Sequence, residues 1–152
     1  MFRRTTFTRT LSLIFVLLIL AFIWGNSLLP GTESAAVSGG LAALLERIFG
    51  PAANFERLHH LLRKAAHMTE YALLALCLSW CLFLWQSSGR DLWALPLLCG
   101  LTTACLDETI QLFSQGRGSS LLDVWIDMGG FVLGLLLFRL LSADARRRER
   151  TE

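Results

Sequence analysis

Four runs of roughly twenty mostly apolar residues recur along this chain, about Phe7 to Leu28, Ala65 to Trp85, Leu92 to Phe113 and Leu121 to Leu141. A backbone in hydrocarbon must satisfy its N–H and C=O groups internally, so runs of this length admit helices and little else. The balance of the chain agrees. Of 152 residues, 54% are hydrophobic and 17% charged, with a mean hydropathy of +0.53, far greasier than an ordinary soluble domain. The fold class that follows is all-α: one domain over residues 1–152, an integral membrane bundle of four transmembrane helices. Membrane lipids are the expected surroundings, and nothing indicates a nucleic-acid partner.

The only long connection lies between the first two spans. It opens with Leu29-Pro30-Gly31 and a Ser/Ala/Gly-rich stretch, which reads as loop. Leu41, Leu44, Leu45, Ile48 and Phe49 then recur at helical spacing until Gly50-Pro51 stops them. Phe55, Leu58, Leu61 and Leu62 suggest a second amphipathic segment running directly into the second span. One or two short interfacial helices are therefore expected in this loop. His59 and His60 belong to the second segment and read as solvated or interfacial. The other links, Gln86 to Asp91 and Ser114 to Ser120, are short, so consecutive spans should be antiparallel neighbours.

Basic residues near span ends bias orientation. Arg3, Arg4 and Arg9 precede the first span, Arg90 lies between the second and third, and Arg139, Arg146, Arg147, Arg148 and Arg150 end or follow the last. Four crossings put all of these on one side. The other side carries Arg47, Arg57, Arg63, Lys64 and Arg117, diluted by Glu33, Glu46 and Glu56. The expected location is the bacterial cytoplasmic membrane, with both termini and the basic tail 142–152 cytoplasmic. After the first apolar core, Trp24-Gly25-Asn26-Ser27 gives no clean small-x-small cleavage site, so an uncleaved helix is expected. Cys77, Cys81, Cys99 and Cys105 lie within spans without a C-x-x-C pair and read as small hydrophobes.

Three polar motifs break the apolar pattern: Lys64-x-x-His67-x-x-Glu70-Tyr71, Asp107-Glu108-x-x-Gln111 leading to Arg117, and Asp123-x-x-x-Asp127. Ionisable groups inside apolar helices cost several kcal/mol apiece unless paired or hydrated, which makes these the candidate site. Chain direction brings the three to one membrane face, the extracytoplasmic one by the charge bias. At about 100° per residue, Lys64, His67, Glu70 and Tyr71 share an arc of roughly 120°. Asp107, Glu108 and Gln111 fall within about 100° of one another, above Gly100 and Ala104. Asp123 and Asp127 share a face with Gly130 and Gly134, a spacing that lets helix backbones approach closely.

Five carboxylates in this set, Glu70, Asp107, Glu108, Asp123 and Asp127, face Lys64, Arg117 and a titratable His67. Burying that excess requires protonation, water or a cation. Three readings compete. The groups form an ion-pair lattice that fixes the bundle, with Arg117 clasping Asp107 or Asp123; Lys64 and Arg63 would then be snorkelling anchors, and Glu108 would face the headgroups. Alternatively they hold a metal, for which His67, Glu70, Asp123 and Asp127 are the candidate ligands. Or they bind a polar headgroup, with Lys64 and Arg117 taking an anionic group such as phosphate beside His67. The last arrangement is also capable of acid/base chemistry, His67 and Asp107 being the candidate catalytic groups. No phosphate loop, nucleophile triad or cofactor fingerprint specifies a reaction, and no cofactor is expected.

The ordered set Lys64-x-x-His67-x-x-Glu70-Tyr71, Asp107-Glu108-x-x-Gln111, Arg117 and Asp123 resembles the VanZ-like family of small bacterial membrane proteins. Ser27-Leu28-Leu29-Pro30-Gly31 is similar to the family's polar turn after the first span. Asp127 departs from the pattern, where the family carries Asn, and so adds a charge. The resemblance implies an association with resistance to glycopeptide antibiotics, chiefly teicoplanin, seen in the founding member, with no settled biochemical activity. Such antibiotics act on cell-wall precursors outside the membrane.

The leading expectation is an outward-facing polar pocket, built by spans two to four and covered by the long first loop, that binds an envelope lipid or cell-wall precursor. His67 and Asp107 would be central, Lys64 and Arg117 the anion partners, and Glu70, Gln111 and Asp123 the orienting shell, with Tyr71, Glu108 and Asp127 completing it. A proton- or cation-coupled small carrier is the alternative from another class. Against it, the inner halves of the spans offer only weak groups such as Ser79, Cys77 and Cys81.

Overall fold

The structure, a computed structural model, describes residues 5–32, 55–85 and 93–148 together with the pairs 39–40, 43–44 and 47–48; for 144–148 it describes the backbone. Four helices follow in order: α1 (Thr6–Leu28), α2 (Phe55–Trp85), α3 (Ala94–Leu112) and α4 (Leu121–Arg148), with no strand among the described residues. A Thr5/Thr8 capping box starts α1, each hydroxyl accepting from the other residue's backbone N–H. Ser120 starts α4, its carbonyl accepting from the Asp123 N–H at 2.9 Å and its hydroxyl from the Leu122 N–H at 3.2 Å.

Three helices are long and apolar enough to cross a membrane: α1, α2 over Glu56–Trp85 and α4 over Leu121–Ala143. α3 is not among them. Its 19 residues have the length, but Asp107, Glu108 and Gln111 crowd into its last two turns and dilute its apolar character. The expected second amphipathic segment and second span form one continuous helix, since α2 begins at Phe55. α4 runs past Leu141 to Arg148, so the start of the basic tail is helical. Residues 39–40, 43–44 and 47–48 are helical, with Leu44 and Ile48 exposed. The other positions of that expected interfacial helix, Leu41, Leu45, Phe49 and Gly50-Pro51, lie outside the described residues, as do the 86–92 turn with Arg90 and the termini.

Consecutive helices run antiparallel. At one end, Arg9 Nε donates to the Leu84 carbonyl at 3.1 Å and Trp85 Nε1 donates to the Arg9 carbonyl at 3.3 Å. The Arg139 guanidinium lies 3.6 Å from the Trp93 ring centre, joining α4 to the start of α3. That end is therefore marked by arginines and tryptophans, the residue types that sit at a membrane–water boundary. The polar motifs gather at the other end.

Between the ends, Ile23, Tyr71, Leu74, Ala75, Ala104, Val124, Phe131 and Leu135 form the core. Tight helix approach makes it possible. Gly130 and Gly134 lie flat against the backbone of α2 at Met68 and Ala72, where a side chain on either glycine would overlap a carbonyl oxygen. On the other side of α4, the Phe131 ring sits on Gly100 of α3, 2.9 Å from where a Cβ would stand. Outside, Phe15, Leu18, Phe22, Leu98, Leu133 and Leu140 are exposed, an apolar girdle suited to lipid.

Candidate functional site

The site is assembled where α1 and α3 end, α2 passes and α4 begins. The α3–α4 link makes a turn in which the Arg117 N–H bonds the Ser114 carbonyl at 3.3 Å and Gly116 adopts φ +72°, a conformation that favours glycine. That turn docks on the end of α1. The Gly31 N–H donates to the Gln115 carbonyl at 2.9 Å, and a Cβ on Gly31 would stand 2.5 Å from the Gly116 oxygen. Ser114 Oγ donates to the Ser27 carbonyl at 2.7 Å, and Arg117 Nη2 to the Asn26 carbonyl at 2.9 Å. The Ser27-to-Gly31 segment thus holds the turn that carries Arg117; the loop from 33 to 38 lies outside the described residues.

Each candidate residue has a definite place. Lys64 Nζ pairs with Asp123 Oδ1, linking α2 to α4 while both remain partly solvent-accessible. Lys64 is thus an ion-pair partner and not a free snorkelling anchor, while Arg63 beside it lines the cavity. Glu70 accepts from Asn26 Nδ2 at 3.2 Å through Oε1. Its Oε2 stands 3.8 Å from His67 Nδ1, beyond hydrogen-bond range. Asp107 is fully buried; its Oδ2 accepts from Gln111 Nε2 at 2.9 Å, and Gln111 also reaches Ser27 Oγ at 3.4 Å. Tyr71 is fully buried in the core, its hydroxyl without a partner.

Two placements that belong to the ion-pair reading are corrected. Glu108 does not face the headgroups: it is 4% exposed, and its Oε2 accepts from the Ser120 N–H at 2.7 Å. A carboxylate there complements the positive end of α4. Arg117 clasps neither Asp107 nor Asp123: its Nη2 donates to the Asn26 carbonyl, and Asp123 pairs with Lys64. Its Nε and Nη1 are buried without partners. Burial first, then the nearby Arg63 guanidinium, holds Arg117 below its ordinary basic range.

A cavity of about 190 Å³ opens among these elements, with Arg63, Lys64, His67, Arg117, Asp123 and Asp127 in its wall beside Gln111 and Glu108. The lining adds His60, which is exposed, in keeping with a solvated or interfacial position. Asn26 and Ser27 were missed as site residues; the signal was two polar residues closing an otherwise apolar run. Of the candidate metal ligands, Glu70 turns to Asn26 and Asp123 to Lys64. Asp107 instead joins His67 and Asp127, the three offering ligand atoms within 4.8 Å of one another.

The sequence model of the VanZ/LLP1 family matches residues 11–142, from the first turns of α1 to beyond the core of α4. No curated protein and no solved structure matches the chain.

Proposed function

The chain belongs to the VanZ/LLP1 family, and from that membership we propose that it is a four-crossing protein of the bacterial cytoplasmic membrane whose outward polar pocket binds the anionic headgroup of an envelope lipid or cell-wall precursor. The observation that carries this reading is Arg117. One of its nitrogens is spent on the Asn26 carbonyl, while Nε and Nη1 are buried beside the cavity with no acceptor. A planar guanidinium held this way is suited to a phosphate or carboxylate oxygen. Arg63 on the same wall adds a second cation. An arriving anion relieves the repulsion between the two.

Four crossings follow if α3, with its apolar first half, spans alongside α1, α2 and α4. The arginine- and tryptophan-marked end is then cytoplasmic by the basic-residue bias. The pocket opens near the outer headgroup layer, where cell-wall precursors are exposed. Within this reading His67 polarises the bound group, Lys64 and Asp123 join α2 to α4 across the wall, and Glu70, Gln111 and Asn26 orient their neighbours. Resistance to a glycopeptide such as teicoplanin would follow if the bound species is the antibiotic's target or changes access to it.

Native mass spectrometry of gently extracted protein tests the pocket. An anionic lipid or precursor should be retained by the wild type and lost in Arg117→Ala. Equal retention in Arg117→Ala, or none in the wild type, would overturn the reading. Teicoplanin susceptibility of a sensitive host expressing the chain tests the resistance link separately.

A further inference from the structure

Beneath the cavity, His67 of α2, Asp107 of α3 and Asp127 of α4 bring ligand-capable atoms within 4.8 Å of one another. These three helices supply one residue each. Asp107 is fully buried; Ser27 and Gln111 stand against its carboxylate, yet its Oδ1 makes no hydrogen bond within range. Buried acceptors are nearly always satisfied, so an enclosed carboxylate oxygen beside two further lone-pair donors needs an explanation. His67 Nδ1 is likewise buried and without a hydrogen bond. Protonation, water or a cation would satisfy these atoms, and the cation is the choice that engages all three residues at once.

Each of the other acids has at least one donor. Glu70 takes Asn26 through Oε1, its Oε2 standing unpartnered 3.8 Å from His67 Nδ1, while Glu108 takes the Ser120 N–H and Asp123 takes Lys64. Gln111 meanwhile holds Asp107 by Oδ2 and leaves Oδ1 inward, the orienting role that outer-shell hydrogen bonds play around ligating carboxylates.

We propose that His67, Asp107 and Asp127 bind a divalent transition-metal ion at the floor of the cavity. The donor set selects the class: an imidazole with two carboxylates suits zinc or manganese better than calcium or magnesium, which prefer all-oxygen shells. Charge agrees with this choice. The five carboxylates of the cluster exceed Arg63, Lys64 and Arg117 by two negative charges, which a divalent ion cancels. Ligand atoms sharing one ion at about 2.0–2.2 Å stand about 3.2–3.6 Å apart in a tetrahedron, so closure asks for side-chain adjustments of about 1 Å. Three protein ligands leave a coordination position open toward the cavity. There a phosphate-type oxygen would complete the shell while Arg63 and Arg117 hold the rest of the headgroup. That last step rests on the pocket reading; the ion itself does not.

The test uses the full chain in nanodiscs of zwitterionic lipid, stripped with chelator and titrated with Co²⁺ alone, followed by visible absorption. The expected result is saturable ligand-field bands at one Co²⁺ per chain, displaced by Zn²⁺. Asp107→Asn and Asp127→Asn should each weaken Co²⁺ binding by about 100-fold or more, at or beyond the range that outer-shell changes cause. Asp123→Asn, paired with Lys64 instead, should cost no more than about 10-fold, and Glu70→Gln, beside His67, an intermediate loss of about 10-fold to 100-fold. Absence of bands in the wild type overturns the proposal regardless of how any variant folds. So does wild-type affinity in both Asp107→Asn and Asp127→Asn, or an equal loss in Asp123→Asn, which would mark general charge attraction. Co²⁺ binding that persists while no lipid is retained sinks the headgroup reading alone.

Discussion

Gly130→Ala should destabilise the bundle, whereas Gly129→Ala, one residue away, should not. At Gly130 an added Cβ meets the carbonyl oxygen, carbonyl carbon and Cα of Met68. These are backbone atoms of a continuous helix, so no side chain can rotate away and α2 and α4 must separate locally. Overpacking a tight contact costs about 1–3 kcal/mol, and a backbone obstacle belongs near the upper end. Replacing a helical glycine by alanine returns about 1 kcal/mol of propensity. The net loss is therefore about 2 kcal/mol, equivalent to a fall in Tm of about 4–8 °C on the scale for domains of this size.

Gly129 has nothing within 4 Å of its added Cβ. Only the propensity gain applies there, and its Tm should hold or rise by a few degrees, about 2–4 °C. Thermal unfolding of both variants in one detergent, followed by circular dichroism, isolates the packing term because composition and helix position are nearly identical. If the two melt together, α2 and α4 do not approach through Gly130, and the arrangement that brings His67 toward Asp127 loses its basis.

Glu108→Ala removes the acceptor of the partly buried Ser120 N–H and the negative charge at the start of α4; it should cost about 1–3 kcal/mol, with Glu108→Gln retaining most of the stability, as read by the same melts. Periplasmic-reporter fusions should be inactive after residue 152 and active when placed between Ser114 and Ser120, and the opposite pattern would reverse the proposed orientation.

The helices were legible in the sequence because apolar runs near twenty residues leave the backbone one way to satisfy itself. Gly130 and Gly134 were legible as a packing face, since helical periodicity relates residues on the same helix. The candidate residues could also be collected at one end by following chain direction through the spans. Periodicity says nothing, however, about the rotation and offset of one helix against another. For that reason two placements of Glu108, in the pocket or toward headgroups, stayed open until the position of the α4 start drew it inside.

Partners written in backbone atoms are also invisible in a string of side chains. The ion-pair reading matched Arg117 with carboxylates because they are the charged letters available, yet it bonds the carbonyl of Asn26. Asn26 and Ser27 entered the site only when the end of α1 docked on the Ser114–Arg117 turn.

By itself, then, the sequence determined an all-helical chain with lipid-compatible spans and a surplus of carboxylates at one end. Those properties depend on composition and on spacing within single segments. Tertiary structure alone decided how the surplus is divided: Lys64 with Asp123, Glu70 with Asn26, Glu108 with Ser120, and Asp107 left facing His67 and Asp127. The division depends on side chains several ångströms long meeting across helices, and a shift of one helix by a single turn, about 5.4 Å, would reassign every pair that helix makes.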